Sequence, residues 1–597
     1  MNKIRLSLLC LFLAVWHGSA QDQGLLPSIL YLTGASDVES VPEDEMERLL
    51  SYSEKPLRIN FLSESSLSSS GLLSAYQAAS LSTYIEGYGD VVSTAELAAV
   101  DGFGAEFAEA LRPFVSFEVC TLPGNRGRYR YSSHEIEGAA FSRLTIPVDG
   151  ASETEAAWGS SLRYRFSYAD KVDMSLGLRK TADDRLAPSQ ATGYIAYYGR
   201  RLSIVVGDCA LRYGQGLALW TGFSMSGLSG TRSLWKRSTG FSPSRSFSEV
   251  SCSRGLAAGL SFGRISVSAF LLSPSLKRWE LRGSPSVKEY LAGGNLRWDS
   301  RHGTVSVTGF RDSSDGDKVS ADARFCIRGV ELFGEASICR VGMIPAYTAG
   351  FMIPLGGRVS AGLSARHIPD RYVSDRTAPI RAFSGKRGES GVMAALSFEG
   401  LEISSDYAVR RSPFQRQCKF TARYPWTVAD RFVIDTKVAF RYRSWGEKIK
   451  GEIRTDFKYV TGPWSGVFRL NLLCSETSSG QTYEARPKLT ADMFSALTYI
   501  EGGYMPGALA AYIRLTVFRA DRWSGRLYSY ERDVPSVFNV PAYYGRGYSV
   551  SAYCRLKNGD VKLYLRAAFT DWPFLSPGQT AYRPSKAEFR LQAVYDF

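Results

Sequence analysis

The sequence predicts a mainly β chain: a large antiparallel transmembrane β-barrel of about 24 strands (range roughly 20 to 26) behind a small N-terminal all-α domain. Three observations carry this expectation. The C-terminal strand alternates, with Ala587, Phe589, Leu591, Ala593, Tyr595 and Phe597 on one side and Glu588, Arg590, Gln592, Val594 and Asp596 on the other. That pattern suits a strand with one face in lipid and the other on water. Connections alternate between short turns and long loops. Charge reverses along the chain: residues 1–20, 21–118 and 119–597 carry +2, −12 and +24, which together give the net +14.

Composition narrows the class. A chain of 597 residues exceeds one ordinary soluble core. A hydrophobic content of 44% and mean hydropathy of −0.14 are too low for a helical membrane protein, whereas a barrel hides its lipid face in alternation. Residues 1–20 read as a secretory signal. Lys3 and Arg5 precede an apolar run over 6–16, which is too short to span a bilayer, and Gly18-Ser19-Ala20 supplies small residues before Gln21.

Residues 21–118 read as an acidic helical domain. Pro42 followed by Glu43, Asp44 and Glu45 marks a helix start, with proline in the first turn and acids at the positive dipole end. Met46, Leu49 and Leu50 give that helix an apolar side. Helical stretches follow over 73–87 and 93–115, broken around Gly87-Tyr88-Gly89-Asp90 and at Gly102.

Residues 119–597 read as the barrel, with firm period-two patterning from about Arg126. Phe432, Ile434, Thr436, Val438, Phe440 and Tyr442 share one face, and Asp435, Lys437, Ala439, Arg441 and Arg443 the other. Val561, Leu563, Leu565, Ala567 and Phe569 alternate with Lys562, Tyr564, Arg566, Ala568 and Thr570. Asn558-Gly559 before that strand is a tight-hairpin signal. Short turns also fall near Gly199-Arg200, Phe262-Gly263, Gly356-Gly357 and Glu399-Gly400. Long connections cover 210–250, 273–289, 367–390, 520–546 and 571–584. An outer-membrane barrel segregates these two classes to opposite rims, short turns in the periplasm and long loops outside.

Within the acidic domain, Leu57-Arg58-Ile59-Asn60 leads to Tyr84-Ile85-Glu86-Gly87-Tyr88-Gly89. Ser93-Thr94-Ala95-Glu96-Leu97, Val100-Asp101-Gly102-Phe103-Gly104 and Ala108-Glu109-Ala110-Leu111 then follow. Residues 58–115 thereby resemble the tandem helix-hairpin-helix module of competence-type (ComEA-like) DNA-binding proteins. The resemblance implies that Gly102, Phe103 and Gly104 form a hairpin whose following helix start faces a DNA phosphate. The first hairpin should fall near Leu72-Leu73-Ser74, without its glycines. The basic residues that usually follow are replaced by Ala105, Glu106 and Glu109, and a module at −12 repels DNA. The alternative is a docking module or plug, held electrostatically under or inside the mouth of the oppositely charged barrel. The whole chain, through Val206-Gly207-Asp208 and Tyr213-Gly214-Gln215-Gly216-Leu217-Ala218-Leu219-Trp220, also resembles Bacteroidota envelope proteins that join such a module to a long β-rich region.

Gly214, Gln215 and Gly216 permit a tight excursion at the start of the longest loop. That loop either folds back as a lumen constriction or remains a surface loop. Arg441, Arg443, Lys562, Arg566 and Arg590 project inward under the alternation. They either select anions or belong to Arg–carboxylate networks filling the bore. Arg371, Arg376, Arg381, Lys386 and Arg387 in an outside loop would face lipopolysaccharide.

No catalytic constellation emerges, and no metal or cofactor is expected. Eight cysteines follow the signal without a Cys-x-x-Cys, and only His134, His302 and His367 lie beyond it. Cys326 and Cys339 could bridge paired strands. The expected function is an outer-membrane barrel that conducts or imports an anionic solute or polymer, DNA uptake being the sharpest version, with the helical domain as periplasmic gate. A non-transporting scaffold is the alternative. Expected partners are outer-membrane lipid, lipopolysaccharide, the barrel-assembly machinery through Phe597, DNA, and periplasmic proteins.

Overall fold

The computed structural model describes residues 22–597 except 36, 121–131, 148–153, 170, 183–187, 223–229, 248–251, 275–288, 315, 357, 373–375, 384–387, 430, 446, 478–489, 536 and 578–580. The secretory signal therefore lies outside the described residues, as do Arg126, Lys386 and Arg387.

A closed antiparallel barrel of 24 strands runs from Ser132–Ile146 to Ser585–Asp596. The first and last strands pair with Glu135 opposite Asp596 and Lys586 opposite Thr145. Beyond that register, Phe597 N–H donates to the His134 carbonyl and His134 N–H to the Phe597 carbonyl, both at 2.9 Å. His134 thus belongs to the first strand. Closure satisfies every edge, which a bilayer demands because lipid offers no hydrogen bonds.

The faces follow the alternation. Val438, Phe440, Tyr442, Leu563, Leu565, Phe569, Leu591 and Tyr595 are exposed on the outside, while Lys437, Lys562, Tyr564, Arg566 and Gln592 are buried in the bore. Short turns such as 198–202, 262–265, 398–401 and 558–561 share the rim of Phe597; the strand ends that bound the long connections lie on the other, where 312–316, 339–344, 410–415 and 443–447 are short as well. Cys326 and Cys339 do not bridge. Both are free, standing opposite Glu331 and Lys318 at the two ends of one hairpin.

The N-terminal region forms α1 (Asp22–Thr33), α2 (Glu43–Glu54), α3 (Glu64–Ser69), α4 (Ala75–Tyr88), α5 (Thr94–Ala99) and α6 (Ala105–Leu111). Helix α2 starts at the predicted acid cluster. Sequence reading does not anticipate α1, which contains Pro27, or the serine-rich α3, whose start is capped by the Ser63 hydroxyl. Ile29, Met46, Leu49, Ile59, Leu67, Leu72, Leu81, Leu97, Phe107 and Phe114 build a core of its own. A short parallel pair, Leu57–Arg58 with Val115–Ser116, ties its ends together. The Asn60 amide braces them further, donating to the Val91 and Glu118 carbonyls and accepting from Val91 N–H.

This domain occupies the lumen. Glu86 meets Arg200 at 3.2 Å and Glu54 meets Lys562 at 2.7 Å, both on the short-turn rim. Deeper, Asp37 pairs with Lys437, and Glu39 meets Arg469 at 2.5 Å and Arg454 at 3.1 Å, midway along their strands. The domain therefore enters from the rim that carries the chain's C-terminus and reaches mid-height.

Arginine replacing an outward residue near mid-strand tests which face meets lipid. Leu565→Arg should cost about 2–4 kcal/mol in urea unfolding from vesicles. An unchanged midpoint would mean that this face does not meet the bilayer core.

Candidate functional site: the filled lumen

The helical domain's carboxylates meet the barrel's cations around the wall. Besides the Asp37 and Glu39 contacts, Glu45 accepts from Arg212 at 2.6 Å, Glu47 from Arg163 at 2.8 Å and Glu64 from Arg297 at 2.9 Å. Tyr564 donates to Glu54 at 2.8 Å. Lys55 reverses the roles, pairing with Asp596 and with Glu135 at 2.7 Å. These pairs are largely buried, so low dielectric strengthens each attraction and makes an unpaired member expensive. Burial pushes the Asp37 carboxyl up, but Lys437 and Arg454 outweigh it and hold it well below the usual carboxylate range. Arg469 and Arg454 depress Glu39 in the same way. Glu45 also rises on burial, yet Arg48, Arg212 and Arg237 bring it down to about 2. For Glu64 burial prevails over Arg297, and its carboxyl is raised.

Long loops enter from the opposite rim and meet the helical domain. The first turns at Tyr213-Gly214-Gln215-Gly216, and its backbone wraps a wall carboxylate. Glu335, only 3% exposed, accepts N–H bonds from Gln215 (2.6 Å), Leu217 (3.0 Å) and Ala218 (3.1 Å). Gly214 and Gly216 hold φ of +59° and +81°, and a Cβ on Gly214 would sit 2.6 Å from the Glu335 carboxylate. The glycines thus serve a nest built around an anion. The excursion lies inside the bore.

The same loop grips the helical domain. Arg237 donates to the Leu72 carbonyl at 2.8 Å and the Leu32 carbonyl at 3.1 Å, and its guanidinium lies over Phe107. Arg232 pairs with Glu106 and covers the Tyr31 ring. Ser68 donates to the Thr239 carbonyl at 2.9 Å. Burial, with Arg212 adding to it, lowers the Lys236 ammonium to about 7, and its Nζ donates to the Ala378 carbonyl of a second infolded loop. That second loop is fixed by Glu389, which accepts from Ala382 and Phe383 N–H at 2.9 Å. Arg376 turns inward to Asp312 at 2.9 Å instead of facing outward, whereas Arg371 is exposed. A third loop places Tyr530 N–H 3.1 Å from Glu39 and packs Phe538 on the helical core.

The five predicted lumen cations all point inward and are engaged by other groups. Lys562 meets Glu54 and Asp596. Arg566 meets Glu531 at 2.6 Å and Glu588 at 3.2 Å, and Arg590 meets Asp533 at 2.6 Å. Arg443 donates to Gln417 at 2.8 Å and lies over Trp445. Arg441 stands between Lys419 and Lys450 in the register. An unobstructed ring of bare cations is therefore not what the described lumen holds. Space remains beside the domain as a polar cavity of about 280 Å³ lined by Glu54, Glu135, Arg163, Arg165, Arg245 and Lys562, among others.

The hairpin Gly102-Phe103-Gly104 joins α5 to α6, with both glycines at positive φ. It packs against α4: Gln77 donates to the Gly102 carbonyl at 2.8 Å, a Gly102 Cβ would lie 2.6 Å from the Tyr76 ring, and Phe103 is buried. Asp101 faces Arg301 on the rim at 4.0 Å. The earlier hairpin between α3 and α4 does contain a glycine. Gly71, just upstream of the expected position, takes φ +72° against Arg48. Glu39, Glu335, Arg454, Arg469, Arg232 and Arg237 escaped sequence reading, because their significance appears only once strands are in register and loops are folded inward.

No protein-family model matches the chain. No curated protein matches it. Among solved structures it is similar to Acinetobacter baumannii OccAB4, with 9% identity over 78% of this chain and 98% of that one and a TM-score of 0.30. It is similar to Pseudomonas aeruginosa OpdQ at 9% identity over 78% and 97%, TM-score 0.30. A third likeness is to a chain of the E. coli P pilus tip assembly intermediate PapC-PapD-PapK-PapG, at 8% identity over 77% and 60%, TM-score 0.42. These are likenesses of architecture.

Two outcomes follow from the site. Glu335→Ala strands three buried N–H groups, each worth about 1–3 kcal/mol, and should expose the 213–220 loop to protease; an unchanged digestion pattern would refute the nest. Because Glu45 falls from an ordinary 4.5 to about 2 on folding, its contribution is complete above pH 4.5 and is lost as pH falls toward 2. Asp37 and Glu39, also depressed, act in the same sense. Seating of the helical domain, followed by protease access to α2, should therefore weaken on acidification and not on alkalinisation.

Proposed function

We propose that the chain is a gated outer-membrane barrel for an anionic solute, and that the helical domain is its gate, entering from the periplasmic rim. The carrying observation is the acidic domain seated on wall cations at mid-height, with infolded loops meeting it from the other side. A barrel of this circumference would enclose a wide bore if empty. Filling it with a separately cored domain, held by charge as well as by packing, makes sense for a part that moves. A lumen lined with Arg and Lys then favours anions.

The pairing of α3 with α4 and of α5 with α6 through glycine turns supports the helix-hairpin-helix reading and, with the module order, kinship to the Bacteroidota envelope proteins. DNA contact through Gly102-Phe103-Gly104 has less support. The hairpin is engaged with α4, and Asp101, Glu106 and Glu109 surround it with negative charge. Docking is the role proposed for it. A scaffold without transport is the second reading, favoured by the loops that close the bore from the far rim.

Purified protein in planar bilayers, with and without residues 22–118, separates these readings. The full chain should conduct little. The shortened chain, checked for barrel formation by heat-modifiable migration, should conduct with anion preference. If a folded shortened barrel does not conduct, the scaffold reading stands. Titrating the helical domain with duplex at about 20 mM salt, where electrostatic affinity is greatest, should show no binding; binding would restore the DNA version.

A further inference from the structure

We infer that Lys437, Arg454, Arg469 and the Tyr530 backbone N–H form a binding site for successive phosphate groups of a linear anion, a site that the Asp37–Glu39 tip occupies as an internal stand-in. The inference rests on the gate reading and names what the opened gate receives. At the tip Asp37 caps the 3-10 segment Val38–Ser40, which carries Glu39, so the two carboxylates are separated by Val38 alone. Glu39 takes Arg454 at 3.1 Å, Arg469 at 2.5 Å and Tyr530 N–H at 3.1 Å, while Asp37 takes Lys437 and lies 3.9 Å from Arg454. Two neighbouring anionic groups are thus held by an ammonium, two guanidiniums and a backbone amide, the donor set that recognises phosphates.

The wall does not neutralise this cluster alone. Arg469 also holds Asp456 at 2.6 Å, but Lys437 and Arg454 are met from the helical domain. All three side chains are about 10% exposed or less. Withdrawal of the tip would take Asp37 from Lys437 and leave Arg454 and Arg469 sharing the Asp456 carboxylate, a costly imbalance of buried charge that an entering anion relieves. Tip and ligand therefore compete for the same donors, and the ligand that opens the gate is the ligand that fits its seat. Arg469 and Arg514 both lie over the Tyr499 ring, which holds Arg469 in place when the tip leaves.

The test uses the full chain in detergent. The D37N/E39Q variant removes the competing charges and leaves the donors. It should bind inorganic tripolyphosphate at least about tenfold more tightly than the unaltered chain by calorimetry, a change of about 1.4 kcal/mol. Citrate, with similar charge but carboxylate geometry, should gain less. Adding R454Q and R469Q to D37N/E39Q should abolish the gain. No gain in D37N/E39Q, equal gain for citrate, or gain that survives R454Q and R469Q would each overturn the site. If D37N/E39Q does not migrate as a folded barrel, E39Q alone is measured against the same outcomes. Conductance of the shortened chain tests the gate separately, so the site and the gate can fail independently.

Discussion

Opposite charge confined in a low-dielectric bore is the constraint on which the structure depends. The barrel's cations are expensive to bury unpaired, and the helical domain's carboxylates repel one another in isolation. Each half therefore resolves the other's problem. The pairs are distributed around the circumference, from Arg163 and Arg212 through Arg297 to Lys437, Arg454, Arg469 and Lys562. Such a ring centres the domain without requiring large apolar contact with the wall, and the domain keeps its own core. Attachment by charge is also the kind that a competing anion, acid or salt can undo.

The loops add a second constraint of the same chemistry with the roles exchanged. Here the wall supplies the anion and the loop the donors: Glu335 gathers amides at 215–218, and Glu389 gathers those at 382–383. Arg232 and Arg237 then carry the first loop's hold onto the helices. A continuous chain of contacts runs from wall strand to loop to helical domain, joining what enters from the two rims.

Much of the architecture was legible because a lipid-facing strand writes its faces into sequence with period two. Phe440 and Tyr442 outside, Lys437 inside, and the Asn558-Gly559 turn all follow from the sequence pattern; turn length segregates only in part, since 312–316, 339–344, 410–415 and 443–447 are short connections on the long-loop rim. The charge reversal near residue 118 pointed to an electrostatic partnership between the halves. What stayed hidden was non-local. Helix α1 carries a proline, α3 is mostly serine, and no periodicity distinguishes Glu335 from any other inward acid. The inward direction of Arg566 and Arg590 was readable, but Glu531 and Asp533, which occupy them, reside on a loop whose path no local pattern reports. Alternation tells which way a side chain points and says nothing of what meets it there.

Seating of the acidic tip against the mid-height wall can be read out by crosslinking in intact cells. Asp37→Cys and Lys437→Cys would be placed together in a chain otherwise free of cysteine and treated with a short thiol-reactive crosslinker. Glu135→Cys with Asp596→Cys, opposite each other at the barrel seam, serves as the reference pair. Both pairs should give an internally crosslinked product. A product from the seam pair alone would place the helical domain outside the bore and contradict that seating.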